Sequence, residues 1–213
     1  MVMKLRSIIA GGLVKISGVL DAPYSTVVIL EDENEGIVVI DPGSSVILGK
    51  LERELESMGL KPDDVKHVIL THFHMDHAFN TIFFESATIH LHSAYSTKDY
   101  SKFGILLGKY YEIVRKSWRR IETFEDGDVL FESIEIHSSP WHAREHVSMV
   151  LNLRGGRYFV VGDVCPTRLD YYDIVRKRRN DEIAEFVRKF SRSCDVVIFP
   201  HDEPLRIQRG GSG

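Results

Sequence analysis

The sequence predicts an α/β (α+β) protein built from mixed β-sheets with helices on the outside. Three observations carry that expectation. Apolar runs of strand length come in groups, and between them lie segments whose apolar residues recur at helical spacing. The 213 residues are 43% hydrophobic and 27% charged, enough to bury a full core without disulfide or metal staples. No Pro/Gly/Ser-rich linker or low-complexity stretch divides the chain, so residues 1–213 read as a single domain.

Taken in order, the apolar runs 25–30 and 37–40 flank the polar E-D-E-N-E-G, the pattern of a β-hairpin with a loop at its tip. Asp41-Pro42-Gly43 ends the second strand, because proline cannot donate to the ladder and glycine releases the chain. Ser44 or Ser45 can cap a helix running to Met58, with Ile47, Leu48, Leu51, Leu55 and Met58 on one face and Gly59 as the stop. Residues 65–70 and 87–91 read as short buried strands. Residues 101–121 read as one long helix, with Phe103, Leu107, Tyr110, Val114 and Ile121 sharing a face. Segments 129–136, 147–153 and 158–161 read as strands, and Gly155-Gly156 turns between the last two. Residues 173–190 read as a helix with Ile183, Phe186, Val187 and Phe190 in a stripe, and 196–199 as a final strand. The block Arg176–Arg179 is expected on a solvated helix face beside Asp181, Glu182 and Glu185. The terminal segment 206–213, ending G-G-S-G, is expected to be a disordered tail.

Composition narrows the function classes. The 27 Lys and Arg against 31 Asp and Glu leave a net charge of −4, without the basic balance of a nucleic-acid protein. Cys165 and Cys194 alone cannot make a disulfide scaffold and fit a reducing compartment. No apolar stretch approaches the ~18 residues of a membrane span, so no membrane partner and a cytoplasmic location are expected. The ten histidines are the departure from the ordinary.

Immediately after the apolar run 65–70 comes T-H-F-H-M-D-H, with His72, His74, Asp76 and His77 inside six positions. Neutral imidazole and carboxylate form the ligand set of zinc-like metals. In extended chain His72 and His74 point to one side. Asp76 and His77 follow where the chain turns, aimed at a second position nearby. One segment can thus begin two adjacent metal sites.

With this H-x-H-x-D-H loop the chain resembles the metallo-β-lactamase superfamily. I-D-P-G-S with Asp41, S-P-W-H with His142, V-V-G-D with Asp163 and F-P-H-D with His201 resemble later family motifs in the expected order. The resemblance covers residues 14–205, nearly the whole chain. It implies a four-layer αβ/βα sandwich with the site at one edge between two sheets. It also implies that His72, His74 and His142 hold one metal, that Asp76, His77 and His201 hold a second, and that Asp163 bridges them. Two departures stand out. Trp141 replaces the usual glycine before the third histidine and is expected to put an indole in the pocket wall. His146 in A-R-E-H is expected either beside the substrate pocket or as an orienting partner of a ligand. Tyr110 is the third candidate for the pocket, within an aromatic segment 93–121. His90 and His92 are expected to be structural, His67 to lie near the surface, His137 to stand behind the site at most, and Cys165 to pack.

The expected function is a dinuclear metal-dependent hydrolase. Two divalent ions, zinc first and iron or manganese next, would share a hydroxide that attacks an ester, thioester, lactone or related small-molecule bond. Asp76 would also move the proton. The alternatives are a mononuclear iron persulfide dioxygenase, a nuclease or phosphodiesterase of the same superfamily, and a non-catalytic metal-binding module. A small-molecule substrate is the expected partner, with nucleic acid disfavoured and a homodimer left open.

Overall fold

The computed structural model describes residues 3–207. It opens with β1 (Lys4–Ile9), the hairpin β2 (Gly12–Ile16) and β3 (Leu20–Tyr24), then β4 (Val27–Asp32) and β5 (Gly36–Ile40). Helix α1 (Leu48–Ser57) leads to β6 (Val65–Ile69), the single-turn α2 (Met75–Ala78) and β7 (Thr88–His92). Next come α3 (Ile105–Ser117), β8 (Arg120–Phe124), β9 (Val129–Leu130), β10 (Ile134–Ser138), β11 (Val147–Leu153) and β12 (Gly156–Val160). Helices α4 (Arg168–Val175) and α5 (Glu182–Ser191) precede β13 (Val196–Ile198) and β14 (Leu205–Arg206).

Two six-stranded mixed sheets result. The first has the order β1-β4-β5-β6-β7-β8, parallel from β5 to β8, and the second β14-β13-β12-β11-β10-β9, parallel only between β12 and β13. Alternation along the strands builds the layers. Val27 and Ile29 of β4 face α1 and α3, while Val28 and Leu30 face the second sheet. Between the sheets, Val38, Ile40 and Ile69 meet Ile134, Ile136, Met149, Leu151 and Ile198. On the far side, Val150, Phe159 and Val197 pack under Tyr171, Ile174, Ala184 and Val187 of α4 and α5. The outcome is a helix–sheet–sheet–helix sandwich, the predicted fold class. Among the described residues no helix is long and apolar enough to cross a membrane.

Several predicted elements are cut differently. The helix expected over 101–121 is a 3-10 turn, Tyr100–Phe103, followed by α3, because Gly104 takes φ +111° between them. It stops at Ser117, and Ile121 lies in β8, paired with Ile89 of β7. Apolar spacing alone cannot tell a helix face from a buried parallel strand. The helix expected over 173–190 is two helices. The N–H groups of Arg178 and Arg179 both turn back to Asp173 O (2.8 and 3.1 Å), Lys177 takes φ +57°, and Asp181 caps α5 by accepting from Ala184 N (2.9 Å). The Arg176–Arg179 block is therefore a connection and not a helix face, with Arg179 on Asp181 at 2.7 Å. The strand expected over 129–136 folds into the hairpin β9–β10, with Phe131 and Glu132 both at positive φ. Arg206 is not tail: β14 pairs it with Val196, and the remainder of that expectation, 208–213, lies outside the described residues.

Candidate metal centre

Strand β6 ends at the rim of the first sheet, where Leu70 N still donates to His90 O (2.9 Å). The chain stays extended through T-H-F-H. Phe73 goes into the core against Trp118 and Tyr111 (centroids 4.7 and 5.1 Å), so His72 and His74 turn together the other way, their rings 4.4 Å apart. α2 begins at the next residue and swings Asp76 and His77 to a neighbouring position. Asp163 follows β12, His201 follows β13, and His142 stands in the connection from β10 to β11. All three arrive at the same edge.

The ligand-type atoms gather in two groups, each with its atoms within 4.8 Å of one another: His72, His74 and His142, then Asp76, His77, Asp163 and His201. Nε2 of His142 is 3.0 Å from Nδ1 of His74. Asp163 lies between the groups, with Oδ2 3.4 Å from His142 Nε2 and 3.6 Å from His201 Nε2, and Oδ1 3.1 Å from His77 Nε2. Asp76 Oδ2 is 3.5 Å from both His77 and His201. His72 Nε2 is buried without a hydrogen-bond partner, and the buried His77 Nε2 and Asp163 Oδ1 meet each other off hydrogen-bond geometry. Orphaned lone pairs of this kind are costly unless a cation meets them. The donor set therefore fits divalent metal ions.

A second ring of groups sets the orientation of the first. Asp41 accepts from Thr71 N and Thr71 Oγ1 (2.8 and 2.7 Å) and from His77 Nδ1 (2.9 Å), which turns His77 Nε2 to the centre. His201 Nδ1 donates to Tyr24 O (3.1 Å) and frees its Nε2 in the same way. His146 is fully buried; its Nε2 accepts from the backbone N–H of Asp163 (2.9 Å), and its Nδ1 lies 2.7 Å from Ser139 Oγ.

Charge follows the same plan. Burial holds His72 well below the ordinary imidazole range. Burial, then His142 and Lys98, bring His74 down to about 4. Burial also lowers His142. These rings are neutral, the form in which an imidazole can bind a metal. Burial pulls His77 down too, but the carboxylates of Asp163, Asp41 and Asp76 outweigh it and lift His77 well above its usual value. Burial likewise raises Asp163, yet His77, His201 and His72 hold it well below the carboxylate range. The carboxylates thus create a field that attracts positive charge.

Of the three expected pocket residues, Tyr110 lines a cavity. It stacks on Phe79 (5.2 Å) along a cavity of about 560 Å³ that opens on His74 and Asp76. Trp141 is turned towards α5, with its ring 5.3 Å from Phe186 and its indole N–H 3.3 Å from Glu182 Oε2. His146 lines no pocket, because Ser139 and the Asp163 N–H hold its ring in the interior; that expectation is corrected to the orienting one. His137 stacks on Phe190 (4.2 Å) on the helix side of the second sheet, away from the centre. Sequence reasoning missed Thr71, Ser139 and the ion pair of Lys98 with buried Glu145 (2.6 Å). Thr71, next to His72, was open to suspicion; nothing in the sequence pairs residues 98 and 145.

The family model of the metallo-beta-lactamase superfamily matches residues 20–201. A crystal structure described as a metallo-beta-lactamase from Thermotoga maritima is 38% identical, with 97% of this chain and 100% of that one covered and a TM-score of 0.91. A metallo-hydrolase of Methanocaldococcus jannaschii is 24% identical over 78% of this chain and 70% of its own length. A dizinc quorum-quenching lactonase holding its product N-hexanoyl-L-homoserine shares the fold at 13% identity, with a TM-score of 0.66, 86% of this chain and 74% of that one covered.

Proposed function

The chain belongs to the metallo-beta-lactamase superfamily, and from that premise we propose that it is a dinuclear metal-dependent hydrolase of small-molecule esters, thioesters or lactones. One observation carries the reading. Two groups of buried imidazole and carboxylate donors meet across Asp163, and His72 Nε2 among them is buried without a hydrogen-bond partner. His72, His74 and His142 would hold one ion, Asp76, His77 and His201 the other, and Asp163 would touch both. Ions bound there would acidify a water and polarise the scissile carbonyl. Zinc is the metal proposed, since the donor set is imidazole with carboxylate, and the structural relative with bound product is a dizinc enzyme.

The chain's own residues do the rest. Asp41, Thr71 and Tyr24 O keep His77 and His201 in one tautomer. His146 and Ser139 hold the Asp163 backbone. Asp76, part-buried at the cavity floor, is the proton carrier. It takes a proton as water oxygen bonds to the acyl carbon, and returns it to the leaving oxygen as the acyl C–O bond breaks. Acid and alcohol leave with atoms balanced.

The test is metal content beside a substrate panel. Protein purified without added metal should carry up to two zinc ions per chain and turn over p-nitrophenyl esters or lactones. His72→Ala and Asp163→Ala should lose turnover and metal together. One iron per chain with oxygen uptake would replace this reading with the dioxygenase. Turnover confined to bis-p-nitrophenyl phosphate would replace it with the phosphodiesterase.

A further inference from the structure

The 560 Å³ cavity beside the centre has a wall that the catalytic groups do not explain. Its floor is His74 and Asp76. One side is the end of β3 at Ala22 and Pro23, with Val46 beyond; the other is Phe79, Phe103, Leu107 and Tyr110. On one face of α3, Tyr111 and Val114 go into the core, and Leu107 and Tyr110 stand beside them, part-open at the cavity. Leu107 remains 43% exposed and Phe103 40%, both turned into the cavity. Apolar side chains left open in a concave site next to reactive groups form a wall from which water gains by being displaced.

Charge narrows the occupant. No lysine or arginine lines the cavity. Its charged side chains are Asp76 and Asp21, and Asp21 is already paired with Lys15 at 3.2 Å. The Lys98 ammonium, 5.3 Å from the Phe103 ring centroid, is held on Glu145 at 2.6 Å, so a phosphate or carboxylate tail would find no unpaired cation here. An uncharged hydrocarbon finds aromatic and aliphatic contact throughout.

We propose that this cavity seats the apolar acyl group of an uncharged ester or lactone, and that Phe103, Leu107 and Tyr110 set the preference for chain length. This rests on the hydrolase reading above and narrows it. The acyl carbon would lie over His74 and Asp76, with its tail running out between Val46 and Leu107.

The experiment compares p-nitrophenyl acetate, butyrate and octanoate on the zinc-loaded protein. A fully buried methylene is worth about fourfold in affinity, so even partial burial of six should raise kcat/KM about tenfold or more from acetate to octanoate. Leu107→Asp should collapse the octanoate-to-acetate ratio towards one, and Leu107→Met should retain it. A ratio independent of chain length, or unmoved by Leu107→Asp, overturns the assignment while leaving the hydrolase in place. If no ester, thioester or lactone is turned over, the hydrolase reading falls, and calorimetry with acetohydroxamate and octanohydroxamate still decides the pocket. Tighter binding of the longer probe, weakened by Leu107→Asp, supports it; equal affinities overturn it.

Discussion

Gly162 stands at φ +65°, and a β-carbon there would meet His146 Nε2 at 2.4 Å. That nitrogen accepts from the N–H of Asp163, so the glycine is the clearance that lets a buried imidazole hold the shared carboxylate. Gly162→Ala should cost about 2 kcal/mol or more through backbone strain and the clash. Activity should fall on the order of tenfold to a hundredfold as the ring that orients Asp163 is displaced. Denaturant unfolding and steady-state rates check the two effects separately. A different histidine pair reports on pH. His67 Nδ1 and His90 Nε2 lie 2.9 Å apart beneath Phe131, and burial, then the charge of His67, brings His90 down to about 4 from 6.5. The unfolded chain therefore binds more protons between those values. This pair's contribution is full above pH 6.5 and is lost as pH falls towards 4. Unfolding midpoints measured across that range should drop less steeply for His90→Asn than for the parent.

At the scale of elements, the segment between β7 and β8 is tied to the loop carrying His142 by one buried ion pair. Glu145 is 1% exposed, and Lys98 Nζ reaches its Oε1 at 2.6 Å while lying 5.3 Å from the Phe103 ring centroid. The pair joins the cavity wall to a ligand loop distant in sequence. Breaking a buried pair leaves one charge uncompensated, so Lys98→Met should lower stability on the order of 3 kcal/mol. Glu145→Gln should cost less, because the lysine is 20% exposed and can turn its ammonium to water. Chemical denaturation of both variants tests the order. The ligand loop should loosen as well, seen as faster loss of one metal to a chelator in Lys98→Met than in the parent.

For the whole molecule, the centre is assembled from the ends of both sheets, so metal binding is linked to folding. A chelator should lower Tm. Metal at a hundred times its Kd contributes about 2.7 kcal/mol. For a chain of this size that corresponds to roughly 5–11 °C. An unchanged Tm in scanning calorimetry with and without the chelator would mean that the folded state holds no metal.

Much of this architecture was legible because it is local. The apolar alternation of 147–153 and the ligand types in 72–77 are properties of short segments, and β11 and the first loop lie where they were expected. What was misread depended on distant partners. Ile121 sits on a plausible helix face until β7 takes it as a parallel strand, and residues 173–190 read as one helix until Asp173 O draws Arg178 and Arg179 back into a turn. His146 was open between two roles until Gly162 and Asp163 closed around it.

By itself, then, the sequence determined the kind of chemistry: imidazole and carboxylate in tight spacing have few uses other than gripping a cation, and spacing is written in the chain. Only the tertiary structure decided which nitrogen of each ring faces inward, how closely the two groups approach across Asp163, and that no lysine or arginine lines the cavity. Those are distances between residues far apart in the chain, set by how two sheets pack face to face, and no local pattern encodes them.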